Sequence, residues 1–418
     1  MMTIKKLGGP LGALGLAGCM LLVLLYPEAS LDAALRGMAV WWDVLFPSLF
    51  PFFVISELML GFGVVHLFGA LFDPLMRPLF RIPGSGGFVL AMGYVSGYPV
   101  GARLTAKLRE QNLLTRVEGE RLVACTTSSD PIFLLGAVSV GFFHNPVLGP
   151  CLALAHYGSG LLVGLLMSFH GRREERNGAG RTPAPDTSRS GKPKRERPEA
   201  GRIRTAFASM AEARRRDGRT LGELLKGAVE SSLKLIIVVG GLVVFFTVLM
   251  ELLNQAGAMA FLFSAIGRFL SVFGFPPGLA EAVTSGFFEV TLGAKAAGTA
   301  AAALPFKAAA AAFVLSWGGL SVHAQVSSIW NGTGLRYLPF AAARLLHAFL
   351  SALLTLLLWR PMMNASPALA PLWTPGPILH TPASAFMLLA LLLAGTLLLS
   401  LAAAAAASVL GNLRRSRR

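Results

Sequence analysis

Long apolar segments alternate with short polar ones along most of the chain, at spacings typical of helices that cross a lipid bilayer. A helix needs about 20 mostly apolar residues to span the hydrocarbon core. On this scale the pattern predicts about eight transmembrane helices, and thus an all-α polytopic membrane protein. These spans are predicted over residues 11–26, 46–66, 119–143, 147–168, 233–254, 305–330, 337–359 and 384–410.

Two further segments, residues 83–113 and 276–303, are apolar at both ends but polar at the centre. Each is too polar to cross the membrane once, and long enough to enter it and return as two half-helices. The pattern therefore predicts two re-entrant helical hairpins. A shorter helix precedes each hairpin, over residues 67–80 and 258–273, and its length and charge predict an interfacial position.

The order of these elements occurs twice along the chain. The segment Ser96–Arg103 has the pattern Ser-Gly-aromatic followed by Gly-Ala-cation. The same pattern of residue types recurs about 189 residues later, in Ser285–Lys295. Each copy contains one span, an interfacial helix, a hairpin and two more spans. Because three crossings is an odd number, we expect an inverted repeat, with the two hairpins entering from opposite faces.

These patterns divide the chain into five parts. A linker rich in Arg, Pro, Gly and Ser separates the two copies, and its residues 182–200 are predicted to be disordered. Residues 203–216 could form a basic helix on an anionic lipid surface or remain a solvated linker, and the sequence leaves both open. The parts are an N-terminal transmembrane helix (1–30), a first repeat with its hairpin (31–168), the basic linker (169–232), a second repeat with its hairpin (233–360), and a C-terminal transmembrane helix with a basic tail (361–418).

Composition supports a multi-pass membrane protein and limits its partners. Hydrophobic residues make up 54% of the chain and charged residues 14%, while the formal net charge is +16. Half of that excess falls in residues 172–226, which hold sixteen Lys and Arg against eight Asp and Glu. Basic loops collect on the cytoplasmic side, so we expect the linker, both termini and residues 67–118 there. The basic residues lack interleaved aromatics, so we expect the lipid bilayer as a partner and no nucleic acid.

The hairpin centres carry residues suited to binding a small solute. A non-helical tip leaves N–H groups free at the start of one half-helix and carbonyls free at the end of the other. We expect the second hairpin to break within Ser285–Phe288. The candidate residues are Ser96, Gly97, Tyr98, Pro99 and Gly101 in the first hairpin, and Ser285, Gly286, Phe287, Glu289, Thr291 and Lys295 in the second.

Glu289 is an ionisable residue at membrane depth, where a charge is costly and usually functional. One interpretation gives it a role at the solute site. The other is a structural ion pair with Lys295 or Lys307, and the sequence leaves both open. Lys295 is also a candidate for attracting an anionic solute.

Two predicted spans contain a polar interruption, which predicts a broken helix in each. In the first, Pro131 follows a polar run and cannot donate the helical hydrogen bond. In the second, glycines and polar side chains lie in the middle of the span. His323 could contact solute, relay a proton or pack in the core, whereas His156 and His347 are interpreted as packing residues. The candidates are Thr127, Ser128, Ser129 and Asp130 in the first span, and Ser316, Gly318, Ser321, His323 and Gln325 in the second.

The sequence lacks the motifs of a membrane-embedded hydrolase, namely the Gly-x-Ser-x-Gly turn, the His-Glu-x-x-His helix and the phosphate-binding loop. Its cysteines, Cys19, Cys125 and Cys151, have neither metal-ligand nor disulfide spacing. We therefore expect no enzymatic activity, no metal site and no bound cofactor, with a proton or a sodium ion as the coupling ion. A homo-oligomer is compatible with these features.

Several motifs occur in order along the chain: Phe46–Phe52, Ser96–Ala102, Thr127–Pro131, Gly141–Pro146, Glu289–Gly293 and Gly319–Gln325. Together they resemble the YlbJ (SpoVV) family of sporulation integral membrane proteins of endospore formers, whose members carry a nucleoside-recognition Gate domain. The resemblance covers residues 31–360 and implies a fold similar to concentrative nucleoside transporters, with two hairpins and two broken helices forming the site. The chain departs from the family pattern at Asp130, where asparagine is commoner, and in its long basic loop and last span.

The residue pattern alone predicts a transporter that moves a small solute by alternating access, without naming the solute. The resemblance implies that dipicolinic acid is moved from mother cell to forespore, across the mother-cell-derived outer forespore membrane. Half-helix N-termini and Lys295 suit carboxylates, and Tyr98, Phe287 and Trp317 could stack on a pyridine ring. A nucleoside or other small solute as cargo, and a non-transporting sporulation scaffold that recruits partners through the basic linker, remain alternatives.

Overall fold

The structure is a computed structural model that describes residues 2–176 and 200–363. Within these two ranges the ordered elements are helices and there is no strand. Four helices are long and apolar enough to cross a membrane, or six if each of two bent helix pairs counts as one span. The described chain is thus an all-α polytopic membrane protein, as predicted. The expected last span (384–410), the basic tail and the predicted disordered segment up to residue 199 lie outside the described residues.

The first half of the chain begins with one apolar helix and continues with a series that ends before the linker. The second half begins with the basic helix of the linker. The elements of the first half are α1 (Met2–Leu25), α2 (Pro27–Ala39), π1 (Val40–Leu45), α3 (Phe46–Gly61), α4 (Val64–Phe80), α5 (Ser85–Ser96), α6 (Tyr98–Glu110), α7 (Arg116–Thr126), π2 (Ile132–Phe142), α8 (Leu148–Met167) and α9 (Arg172–Arg176). Those of the second half are α10 (Ala200–Asp217), α11 (Leu221–Gln255), α12 (Ala258–Val272), a 3₁₀ turn (Pro277–Leu279), α13 (Ala280–Phe288), α14 (Val290–Thr299), α15 (Leu304–Trp317), α16 (Gly319–Ile329) and α17 (Tyr337–Met363).

The order of elements from α2 to α8 recurs from α11 to α17. In both halves a long helical segment turns sharply into a shorter helix at a glycine with left-handed backbone, Gly63 (φ 75°) and Gly257 (φ 74°). Glycine adopts this conformation without steric cost. A helical hairpin follows, which we name hairpin A (α5 and α6) and hairpin B (α13 and α14). Next come broken helix A (α7 and π2) and broken helix B (α15 and α16), and then one long helix.

The predicted span over 46–66 is wrong at its start, because the chain is helical without interruption from Pro27 to Gly61. The predicted loop before it is α2 and π1, which lie along α11. Arg36 forms an ion pair with Glu251 at 2.9 Å, and Trp41 donates to the carbonyl of Ile236 at 3.0 Å. Scattered charges in residues 28–43 hide this helix from a hydropathy pattern, because they interrupt every long apolar run.

The second hairpin does not break where the sequence predicted. Ser285, Gly286 and Phe287 are helical residues of α13, and the helix ends one residue before Glu289, which is extended (φ −143°, ψ 128°). The Glu289 side chain then caps α14. Gly286 serves close packing instead of a turn, because a Cβ there would overlap the side chain of Val314.

The linker contains more structure than the sequence predicted. Its basic helix forms as α10, Ala200–Asp217, and packs against the interfacial helix α4. Helix α11 begins at Leu221, where Thr220 and Glu223 form a capping box, so its first turns lie within the predicted linker (169–232). Such reciprocal capping satisfies two backbone N–H groups that a helix start leaves open.

A cluster of ionic groups joins α7, the short helix α9 and the start of α17. Nε and Nη2 of Arg336 each lie 2.8 Å from the buried carboxylate of Glu120, and Nη1 lies 2.9 Å from Glu174. The hydrogen bond to Glu120 is the main cause that raises the pKa of Arg336. These ion pairs hold the three helical segments together.

One apolar cluster holds the hairpins and the broken helices together. It includes Ala102 of hairpin A, Ala294 of hairpin B, Leu134 of broken helix A and Val314 of broken helix B, all fully buried. Small residues let these helices approach closely, which is the usual basis of helix packing in lipid. The packing therefore brings the interrupted regions of both halves to one place.

Candidate functional site

Four interruptions of helical backbone lie within the two hairpins and the two broken helices of the described residues. We name the two hairpin interruptions tip A (Gly97) and tip B (Glu289). Those of the broken helices are break A (residues 127–130) and break B (Gly318 and Gly319). Non-helical backbone at membrane depth is tolerated only where it is buried in protein or lines a cavity. All four places are therefore candidates for a functional site.

Both hairpin tips contact break B, from two sides. The hydroxyl of Tyr98, next to tip A, donates to the carbonyl of Leu315 at 2.7 Å. A Cβ built on Gly318 would lie 3.7 Å from the Tyr98 ring, and one built on Gly319 would lie 3.0 Å from Cα of Glu289. Both glycines have positive φ, 87° and 77°. The sequence thus permits two backbones to approach where a side chain would separate them.

Tip A also faces break A. Gly97 (φ 85°, ψ −174°) lies in a region of backbone conformation open almost only to glycine. A Cβ on Gly97 would lie 3.3 Å from Oδ2 of Asp130, and one on Gly93 or Gly101 would lie 2.6 Å from the carbonyl of Thr126. Three glycines therefore seat hairpin A against the end of α7 and the start of break A.

The two carboxylates of the site bind backbone N–H groups. Oδ1 of Asp130 accepts from the N–H of Phe133 at 2.9 Å, and Oε2 of Glu289 accepts from the N–H of Leu292 at 2.8 Å. Each carboxylate thus caps the half-helix that follows it, where the helix dipole favours negative charge. Within the described residues no ion pair joins Glu289 to Lys295 or Lys307, so the structural interpretation of Glu289 as a lysine partner is wrong.

Arg344 of α17 is the main site residue that sequence reasoning missed. Its side chain is fully buried. Nη1 donates to the carbonyl of Thr127 in break A, and Nη2 donates to the carbonyl of Ser316 just before break B. One guanidinium thus links the interrupted backbones of both broken helices. The signal was an arginine inside an apolar helix, where a charge is costly and usually functional.

Two histidines interpreted as packing residues complete this link. Nε2 of His156 accepts from the N–H of Ser129 at 3.1 Å, so in the neutral ring Nδ1 carries the proton and faces Oγ of Ser316 at 2.8 Å. Nδ1 of His347 lies 3.0 Å from Nη1 of Arg344, which can only donate. Nε2 of His347 therefore carries the proton and donates to the carbonyl of His156 at 2.8 Å. The two rings stack, with centroids 5.0 Å apart.

His323 lies in an aromatic row beside tip B. Its ring is 4.1 Å from that of Trp317, its Nδ1 is 2.9 Å from the Tyr337 hydroxyl, and Trp317 stacks on Phe287 at 5.5 Å. Nε1 of Trp317 donates to the carbonyl of Phe287 at 3.1 Å. These contacts satisfy His323 within the protein, as its packing interpretation requires.

The remaining candidates differ in their burial. Several buried hydroxyls, those of Ser96, Ser129 and Ser321, have no hydrogen-bond partner in the described structure. No group of three His, Cys, Asp or Glu residues among the described ones is placed to hold a metal ion. Buried candidates are Ser96, Gly97, Tyr98, Pro99, Gly101, Thr127, Ser128, Ser129, Ser285, Gly286, Glu289, Ser316, Gly318, Ser321, His323 and Gln325; Asp130 and Thr291 are half-buried, and Phe287 and Lys295 are exposed.

Comparison with known proteins agrees with this arrangement. The family model for nucleoside recognition, Gate, matches residues 43–169 and 236–330, which contain all four interruptions. The sporulation integral membrane protein YlbJ of Bacillus subtilis (strain 168) is 43% identical over 343 residues, which are 82% of this chain and 81% of that protein. No solved structure matches the chain. The chain therefore belongs to the family of the sporulation integral membrane protein YlbJ and contains a nucleoside-recognition Gate domain.

Proposed function

We propose that this sporulation membrane protein is a transporter that moves a small anionic solute by alternating access. The observation that carries the proposal is the contact of both hairpin tips with break B, through Tyr98 on one side and Glu289 on the other. Paired interruptions in corresponding places of two halves mark the binding sites of secondary transporters. We accordingly propose that the solute binds among the tips and breaks.

The packing of corresponding helices supports an inverted repeat. Residues 36, 41 and 61 of α2 to α3 contact residues 251, 236 and 224 of α11, so these equivalent segments run antiparallel. In an inverted repeat, equivalent spans must run in opposite directions through the membrane. In such a repeat the two hairpins enter from opposite faces, so that rocking one half against the other exposes the site alternately.

The solute that we propose is dipicolinate, a rigid planar dicarboxylate. The start of α6, directly after tip A, has no side-chain cap and offers backbone N–H groups that suit carboxylates. Tyr98 and Trp317 lie beside break B and could stack on a pyridine ring. We propose movement from mother cell to forespore across the outer forespore membrane, driven by a proton or a sodium gradient. A neutral nucleoside is the competing solute, because the matched family model is named for nucleoside recognition.

Transport can be measured directly with purified protein in liposomes that contain Tb³⁺, which becomes luminescent when dipicolinate binds it. We expect dipicolinate to enter protein-containing vesicles faster than empty ones, and to enter faster under one imposed gradient, of protons or of sodium. Radiolabelled nucleosides in the same vesicles serve as the comparison. Entry of nucleosides without entry of dipicolinate would assign the other solute. Entry of neither would favour a scaffold.

A further inference from the structure

Arg344 is a buried cation without a buried anion beside it. Its side chain has no exposed surface, and its nearest partners are the carbonyls of Thr127 and Ser316 and the ring of His347. No Asp or Glu of the described residues forms an ion pair with it. The ends of α7 and α15 offset part of the charge, because helix C-termini are partly negative. A buried charge with no counter-ion remains unfavourable.

The carboxylates near the site are already used elsewhere. Asp130 and Glu289 bind the N–H groups of Phe133 and Leu292. One donor of Arg344, Nε, is buried and has no hydrogen-bond partner in the described structure. A guanidinium presents parallel N–H groups that fit a carboxylate with two hydrogen bonds. The buried Nε donor of Arg344 is therefore open to an anion.

We propose that Arg344 binds the carboxylate of the transported solute, in exchange for the carbonyls of Thr127 and Ser316. This inference rests on the proposed function and specifies which residue of the site recognises the anion. In the structure the guanidinium links broken helix A to broken helix B. A carboxylate on the guanidinium frees both carbonyls, so that solute binding and the release of the two broken helices are one event.

Arg121 provides a matched control within the same chain. It is also fully buried, and it donates to the carbonyls of Arg81 and His170. It lies in α7 but contacts neither break. Replacing Arg121 with glutamine tests the general effect of losing a buried guanidinium, whereas replacing Arg344 with glutamine also removes the proposed anion site.

The experiment is a thermal-shift titration of wild type, Arg344→Gln, Arg344→Lys and Arg121→Gln with pyridine-2,6-dicarboxylate and with its uncharged diamide. We expect the dicarboxylate to stabilise wild type and Arg121→Gln, and the diamide to stabilise neither. Apparent affinity for the dicarboxylate should fall roughly 30-fold or more in Arg344→Gln. It should fall less in Arg344→Lys, which keeps the charge but not the fork of donors.

Equal affinity of Arg344→Gln and wild type for the dicarboxylate would overturn the inference about Arg344. It would not contradict the proposed function as a transporter. If Arg344→Gln does not fold, wild type still decides, because equal stabilisation by the diamide and the dicarboxylate excludes recognition of charge. Wild type that is stabilised by a nucleoside in the same thermal-shift assay, and by neither pyridine compound, would instead contradict the proposed anionic solute itself, and this inference with it.

Hydrogen–deuterium exchange tests the release of the broken helices separately. With dicarboxylate bound, we expect faster exchange at the backbone amides of residues 128–130 and 317–319 in wild type and Arg121→Gln, and no change in Arg344→Gln. Unchanged exchange in wild type at a saturating concentration of dicarboxylate would refute the exchange of carbonyls for carboxylate.

Discussion

The two halves of the molecule place the same pair of groups at their interrupted helices, but in exchanged positions. In the first half the hairpin tip is a glycine, Gly97, and the carboxylate, Asp130, lies in the broken helix. In the second half the tip is the carboxylate, Glu289, and the glycine, Gly319, lies in the broken helix. In each half, one acidic residue thus lies against the backbone of a glycine. What recurs is a spatial relation, and not a residue type at a fixed position.

The exchanged positions explain why aligning identical residues of the two halves placed tip B wrongly. Aligning Ser96 with Ser285 puts tip B inside α13. The observed helix ends instead make Glu289 the equivalent of Gly97. A carboxylate can end one half-helix and start the next by capping, while a glycine does so by adopting positive φ. Two different residues therefore produce similar tips.

The largest effect is expected from a side chain at the glycine of either half. Gly319→Ala places Cβ 2.9 Å from the carbonyl of Phe288 with φ at 77°, so strain and overlap together should cost roughly 3 kcal/mol or more. Gly97→Ala meets the movable Oδ2 of Asp130 at 3.3 Å and should cost about 1–3 kcal/mol. Thermal unfolding in detergent measures both.

Gly158→Ala is the control for this pair, because nothing lies within 4 Å of its built Cβ in α8. It should leave the melting temperature unchanged or raise it slightly, since alanine favours helix more than glycine does. A Gly319→Ala protein as stable as wild type would show that tip B and break B do not meet as described.

The next largest effect separates the two carboxylates. Glu289→Gln should abolish uptake of dipicolinate yet leave the protein folded in the membrane, because the amide oxygen can still accept from Leu292. Asp130→Asn should keep most of its uptake, since the resemblance gives asparagine as the commoner residue there. The terbium vesicle assay, with protein content checked by immunoblot, measures both. Undiminished uptake by Glu289→Gln would remove that residue from the mechanism.

The smallest effect concerns an ion pair at the contact that joins the halves. Arg36→Ala removes the ion pair with Glu251, which is largely exposed on the arginine side, and should cost about 0–1 kcal/mol. Gly37→Val should cost far more, because a Cβ at residue 37 would lie 2.9 Å from Cα of Val244. Comparing the melting temperatures of the two variants shows whether close packing or charge holds α2 on α11. A larger loss from Arg36→Ala would reverse this ranking.

The sequence was sufficient to predict the hairpins, the short helix before each of them and both broken helices, because polar groups inside apolar segments are rare and local signals. It was insufficient for Arg344, which binds carbonyls contributed by Thr127 and Ser316. Every residue has a backbone carbonyl, so residue types do not reveal which carbonyl a distant guanidinium binds. Arg344 and His347, three positions apart on one helix face, were the available signal.

The antiparallel contact of α2 and α3 with α11 has a consequence for biogenesis. Gly37 and Gly61 in this contact have no room for a larger side chain, because α11 fills the space beside them. During synthesis these surfaces enter the bilayer well before α11 leaves the ribosome, and lipid must cover them in the meantime. We therefore expect that neither half folds fully by itself, and that the nascent protein becomes compact only when the second half has been inserted.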